Sequence, residues 1–253
     1  MSVAQDLHMH TTFCDGESTP EEMVLSAISK GFERVGVCIH SPVSFDSGYF
    51  PADEGEYARF REEMARLKKK YADRIEVLCG LELDIFSSLD TAGFDYVIGS
   101  VHYVEADGAY FAVDDTPEKL IAGCEKHFGG DYIAMAERYF ETVAEVVEKT
   151  SCDIIGHFDL IAKFNDGGRL FDEHDPRYVA ACKAAADKLL ESGKPFELNT
   201  GGISRAWRSV PYPAPHIAEY IKANGGRLIL SSDAHTADTV AFEFDKFKHL
   251  CTE

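Results

Sequence analysis

The chain has 253 residues, with 25 Lys+Arg against 44 Asp+Glu and a formal net charge of −19. Hydrophobic residues at 45% and aromatic residues at 11% supply enough apolar surface for a packed core, which excludes a largely disordered chain. The acidic balance argues against a nucleic-acid binder, which must neutralise many phosphates with Lys and Arg, and no apolar run approaches the ~18 residues that cross a membrane.

Short apolar runs at 3–8, 35–39, 75–83, 96–101, 154–158, 195–198 and 228–231 are expected as strands. Amphipathic stretches lie between and after them. The first, 20–30, has Thr19 as N-cap, Pro20 at its first position and Glu21-Glu22 in its first turn, and it stops at Gly31. The second, 54–71, repeats Tyr57, Phe60, Met64 and Leu67 at helical spacing and ends in Lys68-Lys69-Lys70, which suits the helix dipole. Helices are likewise expected over 118–127, 132–149, 176–191, 215–223 and 237–250. The strands are too apolar to face water on one side, so they are expected to pair in parallel beneath covering helices. Seven such units without a Gly/Ser/Pro-rich linker indicate one α/β domain over 1–253, a closed or nearly closed barrel. The irregular stretches 41–53, 103–116 and 162–175 follow strands, which places them at the catalytic face of such a barrel.

The N-terminal residues carry neither a basic region nor an apolar export segment, so a cytoplasmic location is expected. The seven cysteines, at 14, 38, 79, 124, 152, 182 and 251, form no C-x-x-C pair and are expected as reduced thiols. Cys38, Cys79 and Cys152 lie in apolar runs and read as buried small hydrophobes.

Polar residues at strand ends carry the functional signal. Of ten histidines, six stand just past an expected strand: His8, His10, His40, His102, His157 and His235. Glu82 ends the third strand, and Asp233 forms an Asp-x-His unit with His235. Parallel strands of a barrel converge at one mouth, so these side chains meet although they are far apart in sequence. Imidazole and carboxylate together suit Zn, Fe or Mn rather than Ca or Mg. The donors outnumber the ~4 that one tetrahedral ion takes, which implies two or three ions. His127, His174, His216 and His249 fall in helices or at helix starts and are read as lying outside this cluster.

The motifs are specific in combination. Asp6-Leu7-His8-Met9-His10-Thr11-Thr12, then Asp15-Gly16 and Thr19-Pro20-Glu21-Glu22-Met23, resembles the opening motif of the PHP (polymerase and histidinol phosphatase) superfamily. Ile39-His40-Ser41-Pro42, Gly80-Leu81-Glu82, Gly99-Ser100-Val101-His102, Ile155-Gly156-His157-Phe158-Asp159-Leu160, Glu197-Leu198-Asn199-Thr200 and Ser232-Asp233-Ala234-His235 follow in family order, and together they resemble the histidinol-phosphatase branch. The resemblance implies a distorted, TIM-like (β/α)7 barrel with a trinuclear metal centre at the C-terminal ends of its strands. It implies His8, His10, Glu82 and Asp233 around one metal, a bridging Glu82 with His102 and His157 around a second, and Asp15, His40 and His235 around a third, which by its place in the topology need not share Glu82. Cys38-Ile39 before His40 departs from the small or acidic residue common in relatives, and Asp15 stands where some members carry His. Asp15 also reads as a turn residue in Cys14-Asp15-Gly16.

The implied activity is metal-dependent hydrolysis of a phosphomonoester, with L-histidinol phosphate in histidine biosynthesis as the substrate of this branch. Glu82, Asp233 and His235 are the expected catalytic residues. Two cations held together by a carboxylate acidify a water and offset charge on phosphoryl oxygens. Arg205 and Lys163, past the sixth and fifth strands, are candidates to bind the phosphate, Arg205 touching substrate oxygens only. Glu197 is expected to support the site without ligating. The partner is therefore a small phosphorylated substrate, with neither nucleic acid nor membrane. A PHP phosphoesterase for nucleotide or sugar phosphates is the alternative within the family, and a non-catalytic metal-binding regulatory module is the alternative outside enzymes.

Overall fold

The computed structural model describes residues 4–46 and 54–251, so the expected start of the first strand at Val3 and most of the second half of the 41–53 loop lie outside the described residues. Seven strands form one parallel sheet: β1 (Gln5–Asp6), β2 (Arg34–His40), β3 (Glu76–Asp84), β4 (Tyr96–Ser100), β7 (Ile154–Ile155), β8 (Phe196–Asn199) and β9 (Leu228–Ser231), in that spatial order. Sequential neighbours pair throughout, as in a barrel. Met9 pairs with Ala234 in a parallel bridge, and the His10 N–H donates to Ala234 O at 2.8 Å, so the last strand's end meets the first and the barrel is nearly closed. The helices α1 (Pro20–Ser29), α2 (Glu54–Lys70), α3 (Pro117–Phe128), α4 (Tyr132–Val143), α5 (Val146–Thr150), α6 (Pro176–Leu190) and α8 (Pro215–Ala223) lie between the strands. Thr19 and Glu22 form a reciprocal capping box on α1, which fixes where that helix starts.

Strand alternation sorts the side chains into three groups. On one face Val35, Val37 and Ile39 of β2 and Val77, Leu81 and Leu83 of β3 pack with Met23 of α1 and Phe60, Met64 and Leu67 of α2. On the other face Cys38, Tyr96, Ile98 and Ile154 fill the barrel with Leu7. The same inward register, continued toward the C-terminal ends, carries His40, Glu82, Asp84 and Ser100. The floor is apolar and the mouth is polar because one period-2 pattern changes chemistry along its length. Tyr96 occupies the floor at the cost of two glycines: a Cβ on Gly36 would lie 2.1 Å from its hydroxyl oxygen, and one on Gly80 2.4 Å. All seven cysteines are free, with Cys38, Cys79 and Cys152 buried.

Several elements depart from expectation. β1 and β7 are shorter because side chains replace the ladder. The Asp6 carboxylate accepts from the N–H groups of His8, Ser232 and Ala241 at 3.5, 3.0 and 3.1 Å, and burial pushes its pKa up to about 6. Past β7, the His157 N–H donates to Glu197 Oε2 at 3.0 Å instead of to a neighbouring strand. The 103–116 stretch contains a hairpin, β5 (Tyr103–Ala106) and β6 (Ala109–Ala112), turned at Asp107-Gly108 with both residues at positive φ. The 132–149 stretch breaks into α4 and α5 at Ala144-Glu145. The 237–250 stretch holds only the short helix α9 (Phe244–Phe247) and flanking 3₁₀ turns, interrupted by Ala241 and Glu243 at φ 57° and 52°. A four-residue helix, α7 (Gly201–Ser204), follows β8.

Candidate metal centre

Glu82 ends up at the middle of the barrel mouth, 1% exposed. Its two oxygens face different histidines. Oε2 lies 3.2 Å from His8 Nε2, 3.1 Å from His10 Nε2 and 3.0 Å from His40 Nδ1. Oε1 lies 3.1 Å from His102 Nε2 and 2.8 Å from His157 Nε2. Asp233 closes the first group, its Oδ1 3.8 Å from His8 Nε2 and 3.6 Å from His10 Nε2. Asp15 and His235 stand to one side, Asp15 Oδ2 3.1 Å from His235 Nε2 and Oδ1 3.4 Å from His40 Nε2. The nine expected ligands thus converge, with His40 joining the Asp15 side to Glu82.

Supporting residues aim the rings. His8 Nδ1 faces Glu197 Oε1 at 2.7 Å, and His102 Nδ1 faces Asp84 Oδ2 at 3.0 Å; a carboxylate at Nδ1 favours a proton there, the tautomer in which Nε2 would offer its lone pair to a cation at the centre. Glu197 was expected in this role. Asp84 was not singled out, although its place two residues after Glu82 puts it on the same strand face. Gly16 packs so closely on the His10 backbone that a Cβ would lie 2.4 Å from it, and Cys14 and Gly16 both donate to Thr11 O, so Asp15 sits on a tight turn and faces two imidazoles at once. Asp233 has φ 49°, an uncommon backbone for a side chain with a Cβ, and Gly201 leaves it room. His127, His174, His216 and His249 lie away from this cluster, His174 and His216 beside each other with rings 5.1 Å apart.

The donor set fits metal ions on two observations. Among the described residues Glu82 Oε2 has no hydrogen-bond partner despite three ring nitrogens within 3.2 Å. His8 Nε2 and His10 Nε2 point at each other across 3.0 Å, near the ~3.3 Å edge of a tetrahedron with bonds of ~2.0–2.1 Å. A carboxylate with about four lone-pair sites cannot hydrogen-bond five imidazoles in this way. Burial, with His40 alongside, pushes His10 down to about 4, so its ring stays a neutral donor. Burial opposes a proton on His40 too, but the charges of Glu82 and Asp15 raise it to about 10. Burial likewise works against charge on Glu82, yet His8, His40 and His102 hold its carboxyl well below the usual range.

A cavity of about 310 Å³ opens above the cluster, lined also by Lys163, Arg205, Asp114 and Asp115. Lys163 is 8% exposed, and its ammonium donates to Asp114 O at 2.6 Å; it is not a solvated loop cation. Arg205 departs from expectation: it donates to Asp233 Oδ2 at 3.0 Å, and its Nη1 lies 3.1 Å from His235 Nε2. It therefore braces metal-ligand candidates as well as facing the cavity. Asp114 and Asp115 follow the unexpected hairpin, which is why sequence reading missed them. A larger groove, about 1020 Å³, runs between α4 and α6 past alanines and salt-bridged charges, remote from the histidines. Among the described residues no helix is long and apolar enough to cross a membrane.

The PHP domain family model matches residues 6–201, most of the chain and eight of the motif segments above. The chain belongs to the PHP family. Within it, a probable histidinol-phosphatase of Deinococcus radiodurans is 30% identical, with 94% of this chain and 89% of that protein covered. The histidinol-phosphatase of Bacillus subtilis is 28% identical over 98% of this chain and 99% of its own. The PHP fold is shared with the histidinol phosphate phosphatase of Lactococcus lactis, solved with zinc, L-histidinol and phosphate: TM-score 0.73, 22% identity, covering 98% of this chain and 92% of that one. These relatives put this PHP protein in the histidinol-phosphatase branch.

Proposed function

We propose that this PHP protein is a histidinol-phosphatase, hydrolysing L-histidinol phosphate to L-histidinol and phosphate within histidine biosynthesis in the cytoplasm, as a single barrel domain. Near-full-length similarity to histidinol-phosphatases supports the substrate. The observation that carries metal-dependent chemistry is the division of the Glu82 carboxylate, one oxygen toward His8 and His10 and the other toward His102 and His157. His8, His10, Glu82 and Asp233 would hold one ion, Glu82, His102 and His157 a second, and Asp15, His40 and His235 a third. The donor chemistry suits Zn, Fe or Mn, two or three per chain.

When bound, such ions lower the pKa of water and offset negative charge that builds on phosphoryl oxygens. The chain's own residues do the rest. Glu197 and Asp84 fix the tautomers of His8 and His102, so the donor nitrogens are set before substrate arrives. Arg205 and Lys163 place two positive charges on the cavity wall, where they would hold the phosphoryl group against the centre and stabilise its transition-state charge. Arg205 keeps one Nη on Asp233, so that phosphate binding and the ligand cluster share a support.

Phosphate release from histidinol phosphate, measured on the metal-loaded protein and again after chelation, tests this reading. Hydrolysis that vanishes on chelation and returns with Zn, Fe or Mn is the expected result. Metal-loaded protein that releases no phosphate would leave a binding module instead.

A further inference from the structure

We propose that Arg208 is a positioning residue that, with Glu173, sets the place of Lys163 in the cavity and so controls how tightly phosphate is held. Arg208 is 4% exposed and belongs to the segment after α7. Its Nη1 donates to Ala162 O at 2.8 Å, one residue before Lys163, and to Glu173 Oε1 at 2.7 Å; Nη2 reaches Glu173 Oε2 at 3.2 Å. Glu173 Oε1 also accepts from Asn165 Nδ2 at 3.0 Å, and Asn165 Oδ1 accepts the N–H groups of Leu170 and Phe171. One guanidinium therefore clamps both ends of the 162–173 loop.

The same segment supplies Arg205. Ala206 has φ 58°, and this left-handed residue turns the chain between the two arginines. Arg205 then faces Asp233 and the cavity while Arg208 reaches back to the loop after β7. Ser209 adds two bonds to Asp166 Oδ1, at 2.7 and 2.8 Å, and the Ala214 N–H donates to Asp159 Oδ2 at 2.9 Å. The loops carrying the two cations are thus stitched to each other, and Arg208 is the buried charged stitch. A bidentate arginine held by a carboxylate fixes direction as well as distance, which a lysine or a neutral side chain does not. Lys163 is buried in this wall and its ammonium already donates to Asp114 O at 2.6 Å, so small displacements change its contact with an anion.

This inference rests on the reading that Lys163 contacts the phosphoryl group, and the test separates the two. Affinity for inorganic phosphate is measured by calorimetry on the metal-loaded wild type, Arg208→Gln, Lys163→Ala and the double variant, beside metal content and KM and kcat for histidinol phosphate. Arg208→Gln is expected to weaken phosphate binding and raise KM about tenfold, the range for losing a charge-assisted contact, with kcat changed less than threefold and metal content intact. In the Lys163→Ala background the same change is expected to add less than twofold. An equal tenfold loss in both backgrounds, or no loss in either, overturns the positioning role. If Lys163→Ala alone leaves phosphate affinity unchanged, the phosphoryl reading of Lys163 fails and the proposal falls with it. Phosphate binding does not depend on the alcohol released, so a wrong substrate assignment would not imitate these outcomes. Should Arg208→Gln not fold, Glu173→Gln decides, with a smaller loss of about threefold that disappears without Lys163 supporting the proposal and an additive loss overturning it.

Discussion

Replacing Glu82 by Gln keeps the volume of a side chain that is 1% exposed and removes one negative charge from among five histidines at 2.8–3.2 Å. Two unit charges ~4 Å apart interact by about 4 kcal/mol at the effective dielectric of partly buried sites. Solvent has almost no access here to screen that loss. The amide oxygen recovers part of it, so a net weakening of at least about 3 kcal/mol is expected, or more than a hundredfold in cation affinity. Both oxygens would be affected, because Oε2 faces three rings and Oε1 two. After dialysis against a mild chelator, elemental analysis should find at least one metal equivalent fewer in Glu82→Gln than in wild type, and kcat for phosphate release should fall by about three orders of magnitude. Circular dichroism on both proteins checks that the barrel is intact. A folded Glu82→Gln protein with full metal content and kcat within threefold of wild type would refute the bridging role.

Asp15→Asn should release about one metal equivalent and reduce hydrolysis without abolishing it; full retention would leave Asp15 as the turn residue that the bonds of Cys14 and Gly16 to Thr11 O also describe, since Asn suits a turn equally. Arg205→Ala should raise KM at least tenfold and also loosen metal, because its guanidinium holds Asp233 Oδ2; a KM effect with unchanged metal affinity would confine Arg205 to substrate. Gly36→Ala would set a methyl group 2.1 Å from the Tyr96 hydroxyl oxygen in the barrel floor, and should destabilise by about 2 kcal/mol, lowering Tm by several degrees; an unchanged Tm would mean that Tyr96 can move aside.

The barrel and its cluster of candidate ligands were legible because both rest on position along strands. Six histidines, Glu82 and Asp233 stood at the ends of apolar runs, and parallel strands bring such ends together whatever the loops do. Asp84 was readable in principle, two residues past Glu82 in the same strand, but it resembled an ordinary strand-end carboxylate. Arg205 was found by its place after β8, whereas its grip on Asp233 depends on positive φ at Ala206 and Asp233, which no residue type there announces. The hairpin was missed despite its Asp107-Gly108 turn because its strands are short and carry mixed chemistry. The 237–250 helix failed for the opposite reason: its composition is helical, but Ala241 and Glu243 adopt left-handed backbone and break it. Arg208 was not singled out, because its partners, Ala162 and Glu173, lie 46 and 35 residues away in sequence.

The central claim is that this barrel hydrolyses histidinol phosphate through a centre organised on Glu82. Comparing kcat/KM for histidinol phosphate with a panel of nucleotide and sugar phosphates, on protein of measured metal content, tests it most directly. Histidinol phosphate is expected to lead by more than tenfold, at least about 1.4 kcal/mol of transition-state preference, with all activity lost on chelation. A nucleotide or sugar phosphate preferred by the same margin, or hydrolysis that survives removal of metal, would contradict it.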